Sequence, residues 1–238
     1  MQFDRRQLFR LSLASTASLA LGAGPAAVWG ADAPAGPSLT PAQALQRLMD
    51  GNARFVAGQM TSPNQNAARR AAVASGQSPY AIILGCADSR VPPEIVFDEG
   101  LGDLFVVRVA GNAPNSQLIA SIEYGVGVLK APLVMVLGHS ACGAVEAAVK
   151  SIIDGTPLPS GHLQSLIDEL SPAVTQIQAE PGDLTDNAIT RNVQLAVQAL
   201  AVQDPILASG VAAGSLRVVG ARYDLASGKV TMVPPLPG

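Results

Sequence analysis

The two cysteines and one of the two histidines of this chain stand where two strands are predicted to end. Cys86 follows the buried run Tyr80–Leu84, and His139 and Cys142 follow the buried run Leu133–Leu137. Because the carboxyl ends of parallel strands open onto one crevice of a sheet, we expect these three side chains to meet there. Thiolate and imidazole are ligands that zinc prefers, and three protein ligands leave a fourth position open. The pattern therefore predicts a catalytic site with one Zn²⁺ per chain.

Two other interpretations of the cysteines stay open. Cys86 and Cys142 could form a disulfide in an exported protein, or they could be buried free cysteines that pack as small apolar side chains. Neither interpretation explains why glycines adjoin both cysteines, or why a histidine precedes Cys142 by three residues. The helix predicted to start at Cys142 would also stabilise a thiolate there.

Asp88 and Arg90 follow Cys86 within the same loop. In an ordinary loop they would be a surface ion pair of little consequence. Beside a metal, Asp88 could instead accept a hydrogen bond from the water that the metal acidifies. Arg90 would hold that carboxylate away from the metal by charge-assisted hydrogen bonds, so we assign both residues to catalysis. Activity is then expected to rise with pH.

Composition excludes several classes of protein. The chain has 238 residues, of which 14% are charged and 48% hydrophobic, which is typical of one globular domain rather than a disordered chain. The formal net charge of -3 offers no basic surface for a phosphate backbone, and the 4% of aromatic residues make base stacking improbable. We therefore expect no nucleic-acid partner.

Residues 1–33 are predicted to be an export signal of the twin-arginine type. Arg5 and Arg6 precede an apolar run, and Ala31 and Ala33 form an A-x-A cleavage pattern. Residues 34–39 are then a linker and 40–238 the catalytic domain, located in the periplasm and free of the membrane after cleavage. The alternative is an uncleaved membrane anchor, because residues 11–30 are long enough to span a bilayer of about 30 Å.

Strand and helix patterns alternate along the domain. This alternation predicts an α/β fold with a mainly parallel central sheet, flanked by helices and closed by an antiparallel C-terminal hairpin strand. The predicted helices are 40–57, capped by Thr40-Pro41, and 116–129, 142–153 and 187–202; the predicted strands are 80–84, 104–109, 133–137, 216–223 and 229–233. Residues 154–161 are predicted to form a surface loop.

Four blocks of this sequence, in order, resemble the β-class carbonic anhydrases. They are Cys-Ala-Asp-Ser-Arg-Val-Pro-Pro-Glu at 86–94, Gly-Asp-Leu-Phe-Val-Val-Arg-Val-Ala-Gly-Asn at 102–112, Ser-Ile-Glu-Tyr-Gly-Val at 121–126 and Gly-His-Ser-Ala-Cys-Gly-Ala-Val at 138–145. The resemblance covers roughly residues 40–234. It implies reversible hydration of CO₂ to bicarbonate, with Zn²⁺ on Cys86, His139 and Cys142 and a catalytic dyad of Asp88 and Arg90.

The same resemblance implies further site residues and an assembly. Gln77, Phe105, Tyr124 and Gly143 are assigned to substrate binding, and the protein is expected to be a homodimer or a dimer of dimers. The helix at 40–57 would be an arm across the partner. Two alternative functions stay open: hydrolysis of carbon disulfide or carbonyl sulfide on the same zinc site, and non-catalytic zinc binding in the periplasm.

Overall fold

A computed structural model of the protein describes residues 38–203 and 205–236. The predicted export signal and residues 34–37 of the predicted linker lie outside the described residues, and so both stay predictions. The described strands are β1 (Ala81–Cys86), β2 (Leu104–Val109), β3 (Leu133–His139), β4 (Arg217–Tyr223) and β5 (Val230–Val233). They form one sheet in the order β2-β1-β3-β4-β5, in which β5 alone runs antiparallel to its neighbour. The predicted α/β fold with an antiparallel C-terminal hairpin strand is confirmed.

Helices cover both faces of this sheet. They are α1 (Pro41–Val56), α2 (Ala67–Ala72), α3 (Pro93–Val96), α4 (Ser116–Gly127), α5 (Gly143–Ile153), α6 (Leu163–Ile177), α7 (Leu184–Ala201) and α8 (Ile206–Ala212), with a 3-10 turn at Ala110–Asn112. In the described part of the chain no single helix is long and apolar enough to cross a membrane, although α7 and α8 taken together as a bent pair meet that test on length and composition.

The two central strands are buried along their whole length because apolar layers lie on both sides. Ile83 and Met135 face one cluster together with residues of α1, whereas Ile82 and Val134 face the other cluster under α4, α7 and α8. A third apolar cluster, formed by α5, α6 and part of α7, surrounds Cys86 at the carboxyl end of the sheet. Strands that are covered on both faces have continuous apolar sequences, which is why these runs can be predicted.

The predicted ends of two strands are wrong by two residues each. β1 continues to Cys86 and β3 continues to His139, because both residues still pair with the neighbouring strand, Cys86 with Val109 and His139 with Tyr223. The predicted boundaries of β2 are correct. The two metal-ligand candidates are therefore held by the sheet itself rather than by the loops that follow it.

α6 is absent from the predicted helices. Pro172 lies inside it and interrupts the sequence pattern of a helix. The helix continues past the proline because Ile167, Leu170, Val174 and Ile177 bury one apolar side against the third cluster. Packing thus outweighs the backbone hydrogen bond that proline cannot make.

α1 begins at the predicted position and packs on its own chain. Thr40 and Gln43 form a reciprocal capping box at its start, with the Thr40 main-chain N–H donating to Gln43 Oε1 over 2.9 Å. The helix lies on the sheet of its own chain, where Ala44 and Leu48 are fully buried, and its contact with a partner stays a prediction.

Asn52 of α1 joins the first described helix to the last strand. Its side-chain amide donates to the main-chain oxygens of Val96, over 3.1 Å, and Gly228, over 2.9 Å. Its side-chain oxygen accepts from the main-chain N–H of Val230 over 2.8 Å. Asn52 is buried, and a buried polar side chain needs hydrogen-bond partners. Three main-chain groups from distant parts of the chain supply them.

Candidate metal centre and active site

The three predicted metal ligands lie together at the carboxyl ends of β1 and β3. The ligand atoms of Cys86, His139 and Cys142 all lie within 4.8 Å of one another, and the three residues are buried. The two Sγ atoms are 3.9 Å apart and both cysteines are free, so the disulfide interpretation is wrong for this structure. Two sulfurs bound to a tetrahedral zinc at about 2.3 Å would lie about 3.8 Å apart. The donor set and its spacing therefore fit a zinc ion.

A tight turn between β3 and α5 places two of these ligands side by side. His139 is the last residue of β3, and Cys142 is the N-cap residue of α5. Ala141 between them has φ of 50°, in the left-handed region that few residues other than glycine adopt. The main-chain N–H of Ser140 donates to the oxygen of Tyr223 over 2.9 Å and ties the turn to β4. Strained backbone of this kind persists where the surroundings fix it.

The hydrogen bonds of His139 leave one ring nitrogen available to a metal. Nδ1 lies 2.9 Å from the main-chain oxygen of Ser140, so Nδ1 carries the proton and donates it. Nε2 is then an acceptor, and it is buried with no hydrogen-bond partner among the described residues. A buried acceptor without a partner is costly, and a metal ion would satisfy it.

The two sulfurs influence each other strongly. A hydrogen bond with Cys142 lowers the pKa of Cys86; burial opposes this, whereas His139 and the main-chain N–H of Gly111, 3.3 Å from the sulfur, contribute to it. The hydrogen bond with Cys86, together with burial, raises the pKa of Cys142. Burial lowers the pKa of His139, but the neighbouring Cys86 and the oxygen of Ser140 outweigh burial and raise it. Without a metal, the hydrogen bond between the two sulfurs therefore favours one thiolate beside one thiol.

Asp88 and Arg90 form a bidentate ion pair beside this cluster. Arg90 Nε donates to Asp88 Oδ1 over 2.9 Å, and its Nη2 donates to Oδ2 over 2.7 Å. The hydrogen bonds from Arg90 hold the pKa of Asp88 well below its usual range, although partial burial opposes this. Asp88 Oδ2 lies 3.9 Å from His139 Nε2. A carboxylate that stays ionised thus lies next to the position that a metal would occupy.

Known proteins share this arrangement of sequence and fold. A family model described as carbonic anhydrase matches residues 81–230. The protein named carbonic anhydrase 2 of Mycobacterium tuberculosis is 43% identical over 196 residues, which cover 82% of this chain and 94% of that protein. A carbonic anhydrase of Mycolicibacterium smegmatis is 42% identical, with coverage of 82% and 95%. One of two solved β-carbonic anhydrases of Sordaria macrospora, described as tetrameric, is 26% identical with a TM-score of 0.61, and the match covers 67% of this chain and 83% of that one.

The chain belongs to the β-class carbonic anhydrase family. Its enzyme class is therefore confirmed: it is a carbonic anhydrase. The family match at residues 81–230 includes all five residues of the predicted metal centre and dyad, which the structure brings together.

Three residues assigned to substrate binding in this carbonic anhydrase lie away from the metal cluster of the same chain. Gln77 is exposed and precedes the amino end of β1, whereas Cys86 ends that strand. Phe105 pairs in register with Ile82 near the same amino end, and its ring lies 6.2 Å from that of Tyr124 on α4. Phe105 is four strand residues, or about 13 Å, before the level of Cys86, and Gln77 precedes the strand, so these residues and Tyr124 lie far from the metal ligands of their own chain.

Gly143, the fourth residue assigned to substrate binding, does lie beside the cluster. It is the first residue of α5, directly after Cys142. A Cβ atom added there would meet nothing within 4 Å, and its φ does not require glycine. The described residues thus leave open space on this side of the anhydrase site, as a substrate approach requires.

Sequence reasoning missed three residues that support the carbonic anhydrase ligands. Arg108 donates to the main-chain oxygens of Cys86 and Asp88, and Gly111 donates its N–H to the sulfur of Cys86. Asn192 of α7 in turn donates to the oxygen of Gly111 over 2.7 Å. Arg108 and Gly111 both lie in the block 102–112, but no feature of the sequence links Asn192 to the site.

Proposed function

We propose that this protein uses one Zn²⁺, held by Cys86, His139 and Cys142, to interconvert CO₂ and bicarbonate. The observation that carries the proposal is the combination of a buried Cys-His-Cys cluster with an ionised Asp88 held 3.9 Å from the free nitrogen of His139. A storage site for zinc would need the ligands but not that carboxylate. Relatives that are 42–43% identical are named carbonic anhydrases.

The chemistry divides between the metal and the side chains. When bound, zinc supplies an acidified water as the nucleophile at neutral pH. Asp88 would accept a hydrogen bond from that water and so orient it towards CO₂. Arg90 keeps Asp88 ionised and, by occupying both carboxylate oxygens, restrains it from ligating the metal. The open space beside Gly143 leaves room for CO₂ to approach.

The substrate pocket is proposed to form between two copies of the chain. Tyr124 is 42% exposed and packs against Phe105 near the amino end of the sheet, where the described residues form no metal site. In a homodimer that joins the amino end of one sheet to the carboxyl end of the other, Gln77, Phe105 and Tyr124 of one protomer would line the metal site of its partner. The Sordaria macrospora relative is described as tetrameric, which agrees with a dimer of dimers.

Stopped-flow measurement of CO₂ hydration at pH 8.5, together with the zinc content, tests this function. We expect rapid acidification by the zinc-loaded protein, loss of both zinc and turnover in Cys142→Ala, and retained zinc without turnover in Asp88→Asn. The Asn variant separates catalysis from metal binding. One zinc per chain without CO₂ turnover in the wild type would contradict the proposal, and the same protein would then be assayed for sulfide release from carbon disulfide and carbonyl sulfide.

The location of the protein is proposed to be the periplasm. The support is the sequence pattern alone: Arg5 and Arg6, the apolar run, and the A-x-A pattern at Ala31 and Ala33. The mass of the protein recovered from a periplasmic fraction should correspond to a chain that begins near residue 34. Replacing both arginines by lysine should retain the protein, with its signal uncleaved, in the cytoplasm.

A further inference from the structure

We propose that Arg108 is a positioning residue that fixes the metal ligand Cys86 relative to the catalytic carboxylate of Asp88. Its Nε donates to the main-chain oxygen of Cys86 over 2.8 Å, and its Nη2 donates to the main-chain oxygen of Asp88 over 2.5 Å. One planar group thus holds both residues by their backbone. The inference rests on the proposed function, since it assigns Arg108 a part in the same reaction.

The need for such a residue follows from where the sheet ends. The ladder between β1 and β2 closes with the pair Cys86 and Val109, and the N–H of Ala87 makes one more bond, to the oxygen of Val109 over 3.1 Å. Beyond it the chain of β2 turns into the 3-10 turn. The loop that carries Asp88 therefore leaves the sheet at this point, and Arg108 supplies two donors where main-chain donors of β2 no longer face it.

Arginine suits this position for a geometrical reason. Nε and Nη2 lie on one edge of a rigid guanidinium and point the same way, so they can bind two neighbouring oxygens at a fixed separation. A lysine ammonium is a point charge on a flexible stem and does not hold two acceptors in one plane. Asp88 is thus fixed twice, at its carboxylate by Arg90 and at its main chain by Arg108.

The end of β2 also reaches the metal-ligand sulfur. Three residues after Arg108, the N–H of Gly111 lies 3.3 Å from Cys86 Sγ, and Asn192 holds the oxygen of Gly111. The sulfur and the carbonyl oxygen of Cys86 are therefore bound by the same short stretch of chain. A change at Arg108 should alter the position of the sulfur as well as that of Asp88. The absorption spectrum of a metal bound to that sulfur should then change.

The test compares Arg108→Lys with Arg217→Lys, which makes the same change at an exposed arginine of β4. We expect kcat for CO₂ hydration to fall about tenfold in Arg108→Lys, equivalent to ~1.4 kcal/mol, because Asp88 loses its orientation. KM, the zinc content and the unfolding temperature should stay at the control's values. In the cobalt-substituted protein, the thiolate-to-metal charge-transfer band should shift in this variant and not in the control.

An unchanged kcat with an unchanged cobalt spectrum would overturn the proposal. So would a fall in kcat that is matched by an equal loss of thermal stability, since Arg108 would then act only on folding. Should Arg108→Lys not fold, Arg108→Gln, which keeps a donor for one of the two oxygens, takes its place in the same measurements. If the wild type itself has no CO₂ turnover, the proposed function fails, and the cobalt spectra still decide whether Arg108 positions Cys86.

Discussion

Two aspartates that each pair with an arginine serve different purposes in this molecule. Asp88 faces the free nitrogen of His139 and keeps 16% of its side chain exposed, as a group that meets a substrate must. Asp98 has no exposed side-chain surface and pairs with Arg54 over 2.6 Å. Its oxygens also accept main-chain hydrogen bonds from Thr61 and Ser62. Asp98 therefore stabilises the fold, although its charge and its arginine partner resemble those of Asp88.

The stability of the fold should depend on Asp98 between pH 4 and pH 2. Burial raises the pKa of Asp98, but the main-chain N–H of Thr61, Arg54 and the N–H of Ser62 outweigh it and lower the pKa to about 2. The unfolded chain therefore takes up this proton first as the pH falls, and the stabilisation is present above about pH 4 and lost towards pH 2. The free energy of unfolding in urea should be higher for the wild type than for Asp98→Asn. This difference should be larger at pH 5 than at pH 2, by at most about 2 kcal/mol. A difference that is constant over this range would contradict the assignment.

At the scale of elements, the sequence predicts the strands and helices that depend on a local pattern of residues. It does not predict features that depend on contacts between residues far apart in the chain. β1 and β3 are recognisable because both faces of each strand are buried, but the last two residues of each depend on pairing with a neighbour. The cluster of Cys86, His139 and Cys142 is predictable because parallel strands end on one side of a sheet. Arg108 is not, because an arginine on a strand gives no sign of which oxygens it binds.

The docking of α1 on α3 should tolerate no side chain at Gly51. A Cβ atom there would lie 1.8 Å from the main-chain oxygen of Phe97, which cannot move as a flexible side chain would. Alanine favours a helix over glycine by about 1 kcal/mol, yet we expect Gly51→Ala to lower the free energy of unfolding by at least ~2 kcal/mol. At Gly127, the last residue of α4, an added Cβ atom would meet only side-chain atoms of Ile206, at 3.4 Å. Gly127→Ala should therefore change the free energy of unfolding little. Equal stability of the two variants in urea would show that α1 does not depend on this contact.

At the scale of the whole molecule, the sheet separates the metal cluster from the residues assigned to the substrate pocket. Cys86, His139 and Cys142 lie at its carboxyl end, whereas Phe105 and Tyr124 contact each other near its amino end. Both sets belong to the blocks that resemble the family, so sequence similarity alone does not reveal that a single chain keeps them apart. The distance becomes visible only in the fold, and it is what makes the assembly part of the proposed function.

Mixing two inactive variants should restore activity if the site is shared between protomers. In a dimer of one Cys142→Ala chain and one Gln77→Ala chain, one site carries both defects and the other carries neither. Coexpression of the two chains in equal amounts should therefore recover about a quarter of the wild-type CO₂ hydration rate, for dimers that assort randomly. The matched control combines Cys142→Ala with Asp88→Asn, whose defects both stay with their own chain and should give no recovery. No gain from the Gln77 combination would place that residue outside the partner's site.

The three hydrogen bonds of Asn52 impose an order of events during synthesis. Two of its partners, Gly228 and Val230, are synthesised long after it, because they lie 176 and 178 positions further along the chain. α1 therefore cannot make its full set of contacts on a nascent chain until Gly228 and Val230 have been added. Full docking of this helix therefore marks a sheet that is complete through β5.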